Sequence, residues 1–532
     1  MVLFRPSIEL GTLFDELAER GHPTTVHLSR PLDVAPALGT TLTLPMLAGL
    51  VGEMSGWLAA AGVRRGDRVA IAKRNHWDYT LLCCAAARIG AVPAALSGHL
   101  APATLEKLLK RLEPALLVTD TALLAAARAA GAEVGGLVGR TLALDGPADG
   151  AIGLADVRGH GTPAPYRPGL DDPLAIMHTS GTTGVPKLVV HSTYTLMRRL
   201  AGFEARPWPV IGIRGDDTVG NASAYAHGRT LVWTATTLWR GPAAVVITTS
   251  ADWDEARPVF EDRPPTILEA LPATFVRWQD HCEGGPFGRV RLFVSTYDAM
   301  HPPTVRAFLA ATEHRRPVWL QGWGQSETGP LTFRLLTRRA LAQAQDHRPT
   351  TRHLGRPVPT RTRLRVFDPE TLRPVPRGTP GLVYCRTKAL CLGYVGEQER
   401  WERKRLGPWW NTGDIGVHTR TGGLLLVDRE VDALPEGSCL EIEDVVDERL
   451  PEVLECVVLS TPDRPLPVVV TATGALDADA WRAATADLPP LADPVVLTWD
   501  EVPRTGTGKV RRSALRDRLG LPAATHGTGR WT

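Results

Sequence analysis

The stretch from Arg68 to Val118 alternates strand and helix patterns. It opens with a short apolar run, Arg68-Val-Ala-Ile-Ala72, and continues with a helical pattern from Trp77 to Ile89. It closes with a second apolar run, Ala115-Leu-Leu-Val118. Apolar runs of this length are typical of strands that are buried on both faces. Strand, helix and strand in this order predict an α/β layer fold with a mostly parallel sheet.

The pattern changes after about residue 350. Apolar side chains such as Leu364 and Val366 then alternate with polar neighbours, between clusters of Pro and Gly. This alternation predicts a small β-barrel-like subdomain over about 350–427. A last segment has its own helix and strand patterns, which predict a small, mobile α+β domain. We therefore expect a large N-terminal domain over 1–428 and a small C-terminal domain over 429–532.

Composition and charge exclude several classes of protein. The 532 residues include 60 basic and 57 acidic side chains, which give a net charge of +3. A nucleic-acid binder usually concentrates a basic excess, and none is visible. No run approaches the ~18 apolar residues of a membrane span, and the first residues lack the shape of a signal peptide. The seven cysteines are thinly spread, so we expect a cytoplasmic protein with reduced thiols and neither a nucleic-acid nor a membrane partner.

Lysine is rare in this chain. Arginine supplies most of the 60 basic residues, and lysine only seven: Lys73, Lys107, Lys110, Lys187, Lys388, Lys404 and Lys509. In a chain that favours arginine, a retained lysine is a candidate for a chemical role. Lys107 and Lys110 fit an ordinary helix surface instead.

The segment His178-Thr-Ser-Gly-Thr-Thr-Gly-Val-Pro-Lys187 lies between two apolar runs. Its glycines would let the backbone approach a polyphosphate, its hydroxyls are donors, and its lysine adds a positive charge. It is not a Walker A loop, because Pro186 precedes the lysine and Leu188 follows it. The alternative is a solvated, glycine-rich hairpin.

The segment Gln321-Gly-Trp-Gly-Gln-Ser-Glu-Thr-Gly329 follows an apolar run and is predicted to lie at the end of a strand. Its indole can stack on a purine, its hydroxyl can reach a phosphate, and its carboxylate can hold Mg²⁺. It lacks the Gly-x-Ser-x-Gly pattern of a hydrolase. The alternative is an ordinary strand-end loop with a buried tryptophan.

Two shorter segments complete the set. In Trp410-Asn-Thr-Gly-Asp414, a carboxylate after a predicted glycine turn can accept two hydrogen bonds from a ribose diol. In Pro503-Arg-Thr-Gly-Thr-Gly-Lys509, a loop carries one lysine that could close over an active site. Taken singly, the first is a common tripeptide and the second fits a basic surface turn.

Together and in this order, the segments resemble the acyl-adenylate-forming superfamily of acyl-CoA synthetases, peptide-synthetase adenylation domains and luciferases. The resemblance runs from about residue 40 to 517. It implies that Mg-ATP and a small carboxylic acid give an acyl-adenylate and pyrophosphate. The leading expectation is then transfer to CoA. The first alternative is transfer to a carrier protein or an amine without CoA, including activation of an inorganic acid such as nitrite. The second is a nucleotide-binding or scaffold protein that has lost catalysis.

The resemblance also implies a role for individual residues. Lys509 would bridge the acid and the α-phosphate, Glu327 would bind Mg²⁺, and Lys187 would contact the terminal phosphates. The remaining ATP contacts would come from the phosphate loop, the segment beside adenine and the ribose site: Thr179, Ser180, Gly181, Thr182, Thr183, Gly184, Trp323, Gly324, Ser326, Asp414 and Arg429.

The chain departs from the family pattern at the hinge between the two domains. The family usually has Gly-Arg-x-Asp/Lys-Asp, whereas this chain has Asp428-Arg-Glu-Val-Asp432, which puts Val431 at the hinge position. A β-branched residue restricts the backbone. The loop that follows, Pro435 to Leu440, is also shorter than the family's pantetheine-lining loop. We therefore expect restricted domain rotation, which affects CoA transfer more than adenylation.

The acid pocket is predicted from two segments. Tyr297 stands where the family has a glycine beside adenine, so it adds bulk to the pocket. The segment Asn221 to Gly228 matches an aromatic and His segment that lines the family's acyl site. The candidate pocket residues are Ala222, Ala224, Tyr225, His227 and Tyr297, with packing as the alternative for Tyr225 and His227. No charged partner for an amino-acid ammonium is evident.

Overall fold

The computed structural model describes residues 8–179, 185–343, 352–434 and 437–522. Its first large sheet has eight strands and is parallel except at one edge. In spatial order the strands are Gly393–Tyr394, Leu188–Ser192, Pro173–His178, Val92–Ser97, Arg68–Lys73, Leu116–Thr119, Arg140–Ala143 and Ile152–Gly153. The first two are antiparallel to their neighbours, so the predicted phosphate loop joins two antiparallel strands.

Helices cover both faces of this sheet, as the alternation of side chains along its strands requires. Val69 and Ile71 pack into one apolar core, whereas Ala70 and Ala72 pack into another. The flanking helices are Leu13–Glu19, Leu44–Ala60, Asp78–Arg88, Pro102–Leu112, Thr121–Ala129 and Leu154–Val157. The strand and helix predicted at 68–72 and 77–89 therefore form where the sequence pattern indicates.

The second large sheet has nine strands. In spatial order they are Arg356–Pro357, Gly329–Leu336, Val318–Gln325, Leu292–Ser295, Ile267–Ala270, Thr218–Ala222, Ala244–Thr248, Thr25–Leu28 and Thr41–Thr43. The six central strands are parallel, and the antiparallel pairs lie at the edges. The associated helices are Gly202–Glu204, Gly228–Arg240, Trp253–Asp262, Pro272–Trp278, Pro302–Ala311 and Arg338–Gln343, with a π-helix over Tyr194–Ala201.

The remaining chain forms two smaller sheets. The first is antiparallel and contains Thr362–Phe367, Pro380–Thr387, Arg405–Leu406, Trp409–His418 and Leu424–Arg429, beside the helix Gln398–Arg403. The second contains Val453–Leu459, Leu466–Thr471 and Val495–Leu497, with the helices Cys439–Arg449, Ala478–Thr485 and Arg512–Arg518. The predicted fold class, α/β layers with a β-rich part and a small α+β part, is confirmed. The exact domain boundary at 428/429 stays a prediction.

Two further observations bear on the predicted cell environment. All seven cysteines are buried and none forms a disulfide. Across the described ranges, no helix combines the length and the apolar character needed to cross a membrane.

Candidate functional site

A cavity of about 330 Å³ lies where the two large sheets, the β-rich part and the C-terminal part meet. It gathers most of the residues that the sequence singled out. Those that line it are Thr179, Lys187, His227, Tyr297, Trp323, Gly324, Ser326, Glu327, Asp414, Arg429 and Lys509. Ser180, Gly181, Thr182, Thr183 and Gly184 lie outside the described residues.

The ends of the phosphate loop are held together by two hydrogen bonds. The Thr179 backbone N–H donates to the Lys187 carbonyl at 3.0 Å. The Lys187 N–H donates to the Thr179 hydroxyl, also at 3.0 Å. This pairing continues the antiparallel ladder of Pro173–His178 and Leu188–Ser192. Lys187 therefore extends from a rigid strand end into the cavity.

Glu327 carries a buried negative charge beside this lysine. Its Oε1 lies 3.4 Å from Lys187 Nζ and accepts a 2.6 Å hydrogen bond from the Tyr394 hydroxyl. Burial alone would raise the pKa of Glu327, but Lys187, Lys404 and Tyr394 outweigh it and lower the pKa to about 2. An ionised carboxylate beside a phosphate loop is the oxygen donor that Mg²⁺ needs, because phosphates and water complete its shell. The residues present therefore fit Mg²⁺.

Lys404 also lines the cavity, and its role was not predicted from the sequence motifs. Burial lowers its pKa to about 8, Lys187 adds to the lowering, and Glu327 opposes it. Its Nζ lies 5.4 Å from the Trp410 ring centroid. The available sequence signal was its retention as lysine in an arginine-rich chain. A second cation thus faces the carboxylates of the site.

Asp414 and Arg429 are opposite each other on paired strands. Arg429 Nε lies 3.6 Å from Asp414 Oδ1, and burial raises the pKa of Asp414. The prediction of a glycine turn before Asp414 is wrong in detail. Gly413 has φ +76° but lies inside the strand Trp409–His418, where the pairing with Pro380–Thr387 shifts register between Asn411 and Ile415.

Trp323 and Ser326 belong to a β-hairpin rather than to a free strand-end loop. The strands Val318–Gln325 and Gly329–Leu336 pair with a register shift after Trp323. A Cβ on Gly324 would collide with the backbone of Gly329, so this position requires glycine. The Ser326 carbonyl accepts a 2.7 Å hydrogen bond from His191 Nε2. This hydrogen bond connects the hairpin turn to the strand Leu188–Ser192 of the first large sheet.

Lys509 extends into the cavity from the C-terminal part. Its carbonyl accepts a 2.8 Å hydrogen bond from the Thr505 N–H, and its own N–H donates to the Thr505 hydroxyl at 3.2 Å. The lysine approaches His227 closely enough to influence its titration. Burial is the main cause that lowers the pKa of His227 to about 3, and His178 and Lys509 add to it.

The neutral His227 has a defined tautomer. Its Nδ1 accepts a 3.1 Å hydrogen bond from the Arg229 backbone N–H. A neutral imidazole that accepts at Nδ1 carries its proton on Nε2. His227 is therefore a hydrogen-bond donor in a cavity that Lys509 makes positive, and the arrangement suits a small anion.

The Tyr297 ring lies edge-on to His227, with the ring centroids 4.6 Å apart. Its φ of +83° is in the region that favours glycine, which agrees with the glycine of the family pattern at this position. Such a conformation costs on the order of 1–3 kcal/mol in a non-glycine residue. Burial raises the pKa of Tyr297.

Three of the predicted pocket residues do not line the main cavity. Tyr225 is 1% exposed and donates a 3.0 Å hydrogen bond to the Asn221 side chain. Ala222 is part of the core around Phe260. Ala224 lines a smaller neighbouring cavity of about 50 Å³, which His227 also borders. Tyr225 is therefore a packing residue, as the alternative stated. His227 and Tyr297 line the main cavity.

The inner end of the main cavity is charged, which the sequence motifs did not indicate. Arg229 Nε and Nη2 each lie 2.8 Å from an oxygen of Glu269, and Nη1 pairs with Glu204. Arg361 is buried nearby and interacts electrostatically with Glu204. These residues come from separate segments of the sequence, so no local motif could reveal the cluster.

Comparison with known proteins agrees with this geometry. The AMP-binding enzyme family matches residues 16–395. The chain is 36% identical to 3-amino-2-hydroxy-4-methoxybenzoate diazotase of Streptomyces cremeus, over 98% of this chain and 97% of that protein. It is 26% identical to 3-aminoavenalumate diazotase of a Streptomyces species, over 90% of this chain and 89% of that protein.

Among solved structures, the anthranilate CoA ligase AuaEII in complex with anthranoyl-AMP superposes with a TM-score of 0.79 at 21% identity. The superposition covers 97% of this chain and 98% of that chain. The resemblance stated from the sequence motifs is thus confirmed, and the scaffold alternative is set aside. The chain belongs to the AMP-binding enzyme family and is an adenylating enzyme of the ligase type that uses ATP and Mg²⁺.

Proposed function

We propose that this enzyme activates nitrite with ATP and transfers the nitrosyl group to an aromatic amine, so that it acts as a diazotase. The observation that carries the proposal is the 36% identity to a diazotase over almost the whole of both chains. A second diazotase is similar over 90% of this chain. The CoA ligase function, our leading expectation from the sequence, has weaker support: 4-coumarate–CoA ligase 5 of Oryza sativa subsp. japonica is 26% identical over 78% of the chain.

The proposed reaction has two steps. A nitrite oxygen attacks the α-phosphorus of ATP, forms an O–P bond and displaces pyrophosphate. The amine nitrogen then attacks the nitrosyl nitrogen, the N–O bond to AMP breaks, AMP leaves with the electron pair, and the amine loses a proton. The resulting N-nitrosamine tautomerises to a diazohydroxide, which takes up a proton and loses water to give the diazonium ion.

The first step must bring two anions together, and the cavity supplies the opposing positive charge. Lys509 and His227 line the same cavity, and His227 carries a proton on Nε2, which suits nitrite. Lys187 and Lys404 lie on the side of Glu327, which suits the phosphates. Glu327 would hold Mg²⁺, which neutralises charge on the phosphate oxygens when it is bound. These donors are held by backbone hydrogen bonds before substrate arrives, so little reorganisation is needed.

An amine acceptor also explains why the hinge can be stiff. CoA approaches through a separate tunnel in the family, and this chain has Val431 and a shortened loop there. An aromatic amine can instead occupy the inner end of the main cavity, which Leu196, Leu200 and Val232 line beside the charged cluster. Both steps would then proceed with Lys509 in the position that it already holds.

The test is pyrophosphate release with Mg-ATP at pH 8, where spontaneous nitrosation is slow. Nitrite, benzoate and an aliphatic acid are each supplied with and without an aminobenzoate and CoA. We expect release that requires nitrite, a diazonium product that couples to a naphthol, and label from ¹⁵N-nitrite in the resulting azo dye. Lys509→Ala should lose this activity, whereas Lys388→Ala, at an exposed lysine, should keep it. Release driven by a carboxylic acid, with a CoA thioester as product, would overturn the proposal.

A further inference from the structure

We propose that the smaller cavity beside the main one is the entrance and first binding site of nitrite, the small anion of the reaction. This inference rests on the proposed diazotase function and adds a second opening to its site. ATP and the amine would occupy the main cavity, and nitrite would arrive from the other side of His227.

The smaller cavity meets the main cavity at two side chains. Its volume is about 50 Å³, and His227 and Thr507 line both spaces. Thr507 is 8% exposed and belongs to the loop that carries Lys509. The smaller cavity therefore ends beside the part of the main cavity in which the proposed first step takes place.

The opposite end of the smaller cavity is at the surface. Among its lining residues, His99, Ala101 and Arg511 are exposed, whereas His178 is buried. The predicted ATP contacts Lys187, Glu327 and Asp414 line only the main cavity. A molecule can therefore approach His227 from solvent without passing the ATP site.

The size of the smaller cavity suits nitrite and excludes the other substrates. A water molecule needs about 10–15 Å³ of cavity volume, so a cavity of about 50 Å³ holds roughly four of them. Nitrite has only three non-hydrogen atoms and fits this space. An aromatic ring or a triphosphate does not fit, so ATP and the amine are confined to the main cavity.

The charges that line the smaller cavity favour an anion. Within the part of the chain that the structure describes, neither Asp nor Glu lines it, whereas six such residues line the main cavity. Arg504 lines it but pairs with Glu455 and donates to the Gly508 carbonyl at 3.0 Å. Arg511 adds an exposed cation at the mouth. A cleft with one sign of charge concentrates ions of the opposite sign.

The two histidines at the inner end differ in what they offer an anion. His178 accepts a 3.1 Å hydrogen bond from the Ser97 N–H at Nε2, and its Nδ1 lies 2.8 Å from the Thr179 carbonyl. Both of its ring nitrogens are therefore used within the protein. His227 accepts a hydrogen bond at Nδ1 and keeps its proton on Nε2. His227 is thus the donor that an anion meets at the junction of the two cavities.

A separate entrance also agrees with the direction of attack. In phosphoryl transfer the attacking and leaving oxygens are roughly in line with the phosphorus. Pyrophosphate would leave on the side of Lys187 and Glu327, so nitrite must approach the α-phosphorus from the opposite side. Under the proposed function that side is the one that His227 and Lys509 line. Through the smaller cavity, nitrite reaches it while ATP and the amine stay bound.

The test narrows the smaller cavity or removes its charge. Ala101→Phe places a ring at the mouth, and Ala103→Phe is the matched control, because Ala103 is exposed nearby but is not a lining residue. Arg511→Gln removes the exposed cation, with Arg464→Gln, at an exposed arginine away from both cavities, as the control. Diazonium formation is measured against nitrite concentration at saturating Mg-ATP and amine.

We expect Ala101→Phe to raise the KM for nitrite by at least ~10-fold, because slower association lowers kcat/KM. The kcat and the KM for Mg-ATP should stay as in the wild type. Arg511→Gln should raise the KM for nitrite by about threefold or more and make it less sensitive to salt, since the lost charge attracts anions. Both controls should match the wild type. An unchanged KM for nitrite in both variants, or an equal rise in the KM for Mg-ATP, would overturn the inference.

Bromide tests the same site without catalysis. It is a small monovalent anion, and its anomalous scattering locates it in crystals soaked in sodium bromide. We expect bromide between Arg511 and His227 in the wild type but not in Ala101→Phe, and its absence from the wild-type cavity would count against the inference. Nitrite-dependent exchange of pyrophosphate into ATP reports on the proposed function alone. Bromide in the cavity without such exchange would argue against nitrite activation and leave the anion site standing.

Discussion

Lys509 is a cation that the C-terminal part contributes to the cavity, which Arg512 also lines. We expect Lys509→Ala to slow nitrite-dependent pyrophosphate release by at least ~10²-fold, as removal of one preorganised donor does elsewhere. The effect should be on kcat, because the charge matters most when the two anions react. Burst measurements of pyrophosphate report this step. Near-normal release by Lys509→Ala, with Lys388→Ala as the control, would contradict the assigned role.

Lys404 predicts a pH dependence. A lysine is charged below its pKa, and the pKa of Lys404 is about 8. As pH rises from 7 to 9, the site loses this charge, so kcat/KM for Mg-ATP should fall. The Lys404→Arg variant keeps its charge over this range, so its kcat/KM for Mg-ATP should change little with pH. The Lys404→Met variant should already have a low kcat/KM at pH 7. An unchanged fall in Lys404→Arg would mean that another group titrates.

The buried guanidinium of Arg361 predicts an effect on the stability of the fold. A buried charge without hydrogen bonds destabilises the fold, and apolar replacements of such groups are often neutral or stabilising. We expect Arg361→Met to melt at or above the wild-type temperature. A melting temperature well below that of the wild type would show that Arg361 is needed for folding.

Individual residues differed in how well they could be predicted from sequence. Lys187, Glu327, Asp414 and Lys509 lie in ordered motifs, and the structure brings them to one cavity. Arg361 has no motif, because the charged residues around it, Glu204 and Arg229, are remote in sequence and come together only in the folded chain. Tyr225 matched a pocket segment but faces the core, because the chain turns at Tyr225 and Ala226 and the hydroxyl donates to Asn221.

At the scale of elements, two helices hold the C-terminal part against the large sheets. His301, at the start of the helix Pro302–Ala311, lies 3.0 Å from Asp444 and 3.3 Å from Asp447, both on the helix Cys439–Arg449. Burial alone would lower the pKa of His301, but the two carboxylates outweigh it and raise the pKa to about 10. The imidazole is therefore charged at neutral pH and is hydrogen-bonded to Asp444, whereas burial raises the pKa of Asp447 to about 8.

This contact predicts pH-dependent docking. The pKa of His301 in the folded protein is raised above the ordinary 6.5. The stabilisation that the His301 charge gives to this contact is therefore full below pH 6.5 and is lost as pH rises through about 10. We expect proteolysis between residues 430 and 438 to accelerate from pH 7 to pH 10 in the wild type. His301→Gln should be cleaved quickly at both pH values, and His314→Gln, at an exposed histidine, should behave as wild type. Equal cleavage of wild type at pH 7 and 10 would contradict the prediction.

Elements that depend on local pattern were predicted, and those that depend on distant pairing were not. The helix Asp78–Arg88 and the strand Arg68–Lys73 follow their apolar periodicity. Trp409–His418 contains a glycine that locally indicates a turn, yet it is a strand because Pro380–Thr387 and Leu424–Arg429 pair with it on either side. Such pairing is a tertiary effect that overrides local preference.

At the scale of the whole molecule, a single orientation of the C-terminal part should serve both reaction steps. Arg306 and Glu448 face each other across the contact at 2.6 Å. If both are changed to cysteine and joined by a short bismaleimide, the two parts cannot rotate. We expect the cross-linked enzyme to keep diazotisation within about threefold of the unlinked variant, since no closing motion limits it. Loss of diazotisation with retained nitrite-dependent exchange would show that rotation is required.

The buried cysteines have a consequence under the proposed function, in which the enzyme would make a nitrosating agent. Thiolates are the protein groups most readily S-nitrosated, and the thiolate form requires deprotonation and access. Burial raises the pKa of all seven thiols here. As a diazotase, the enzyme would therefore offer its own product no reactive sulfur, and the fold itself would suppress self-inactivation during turnover.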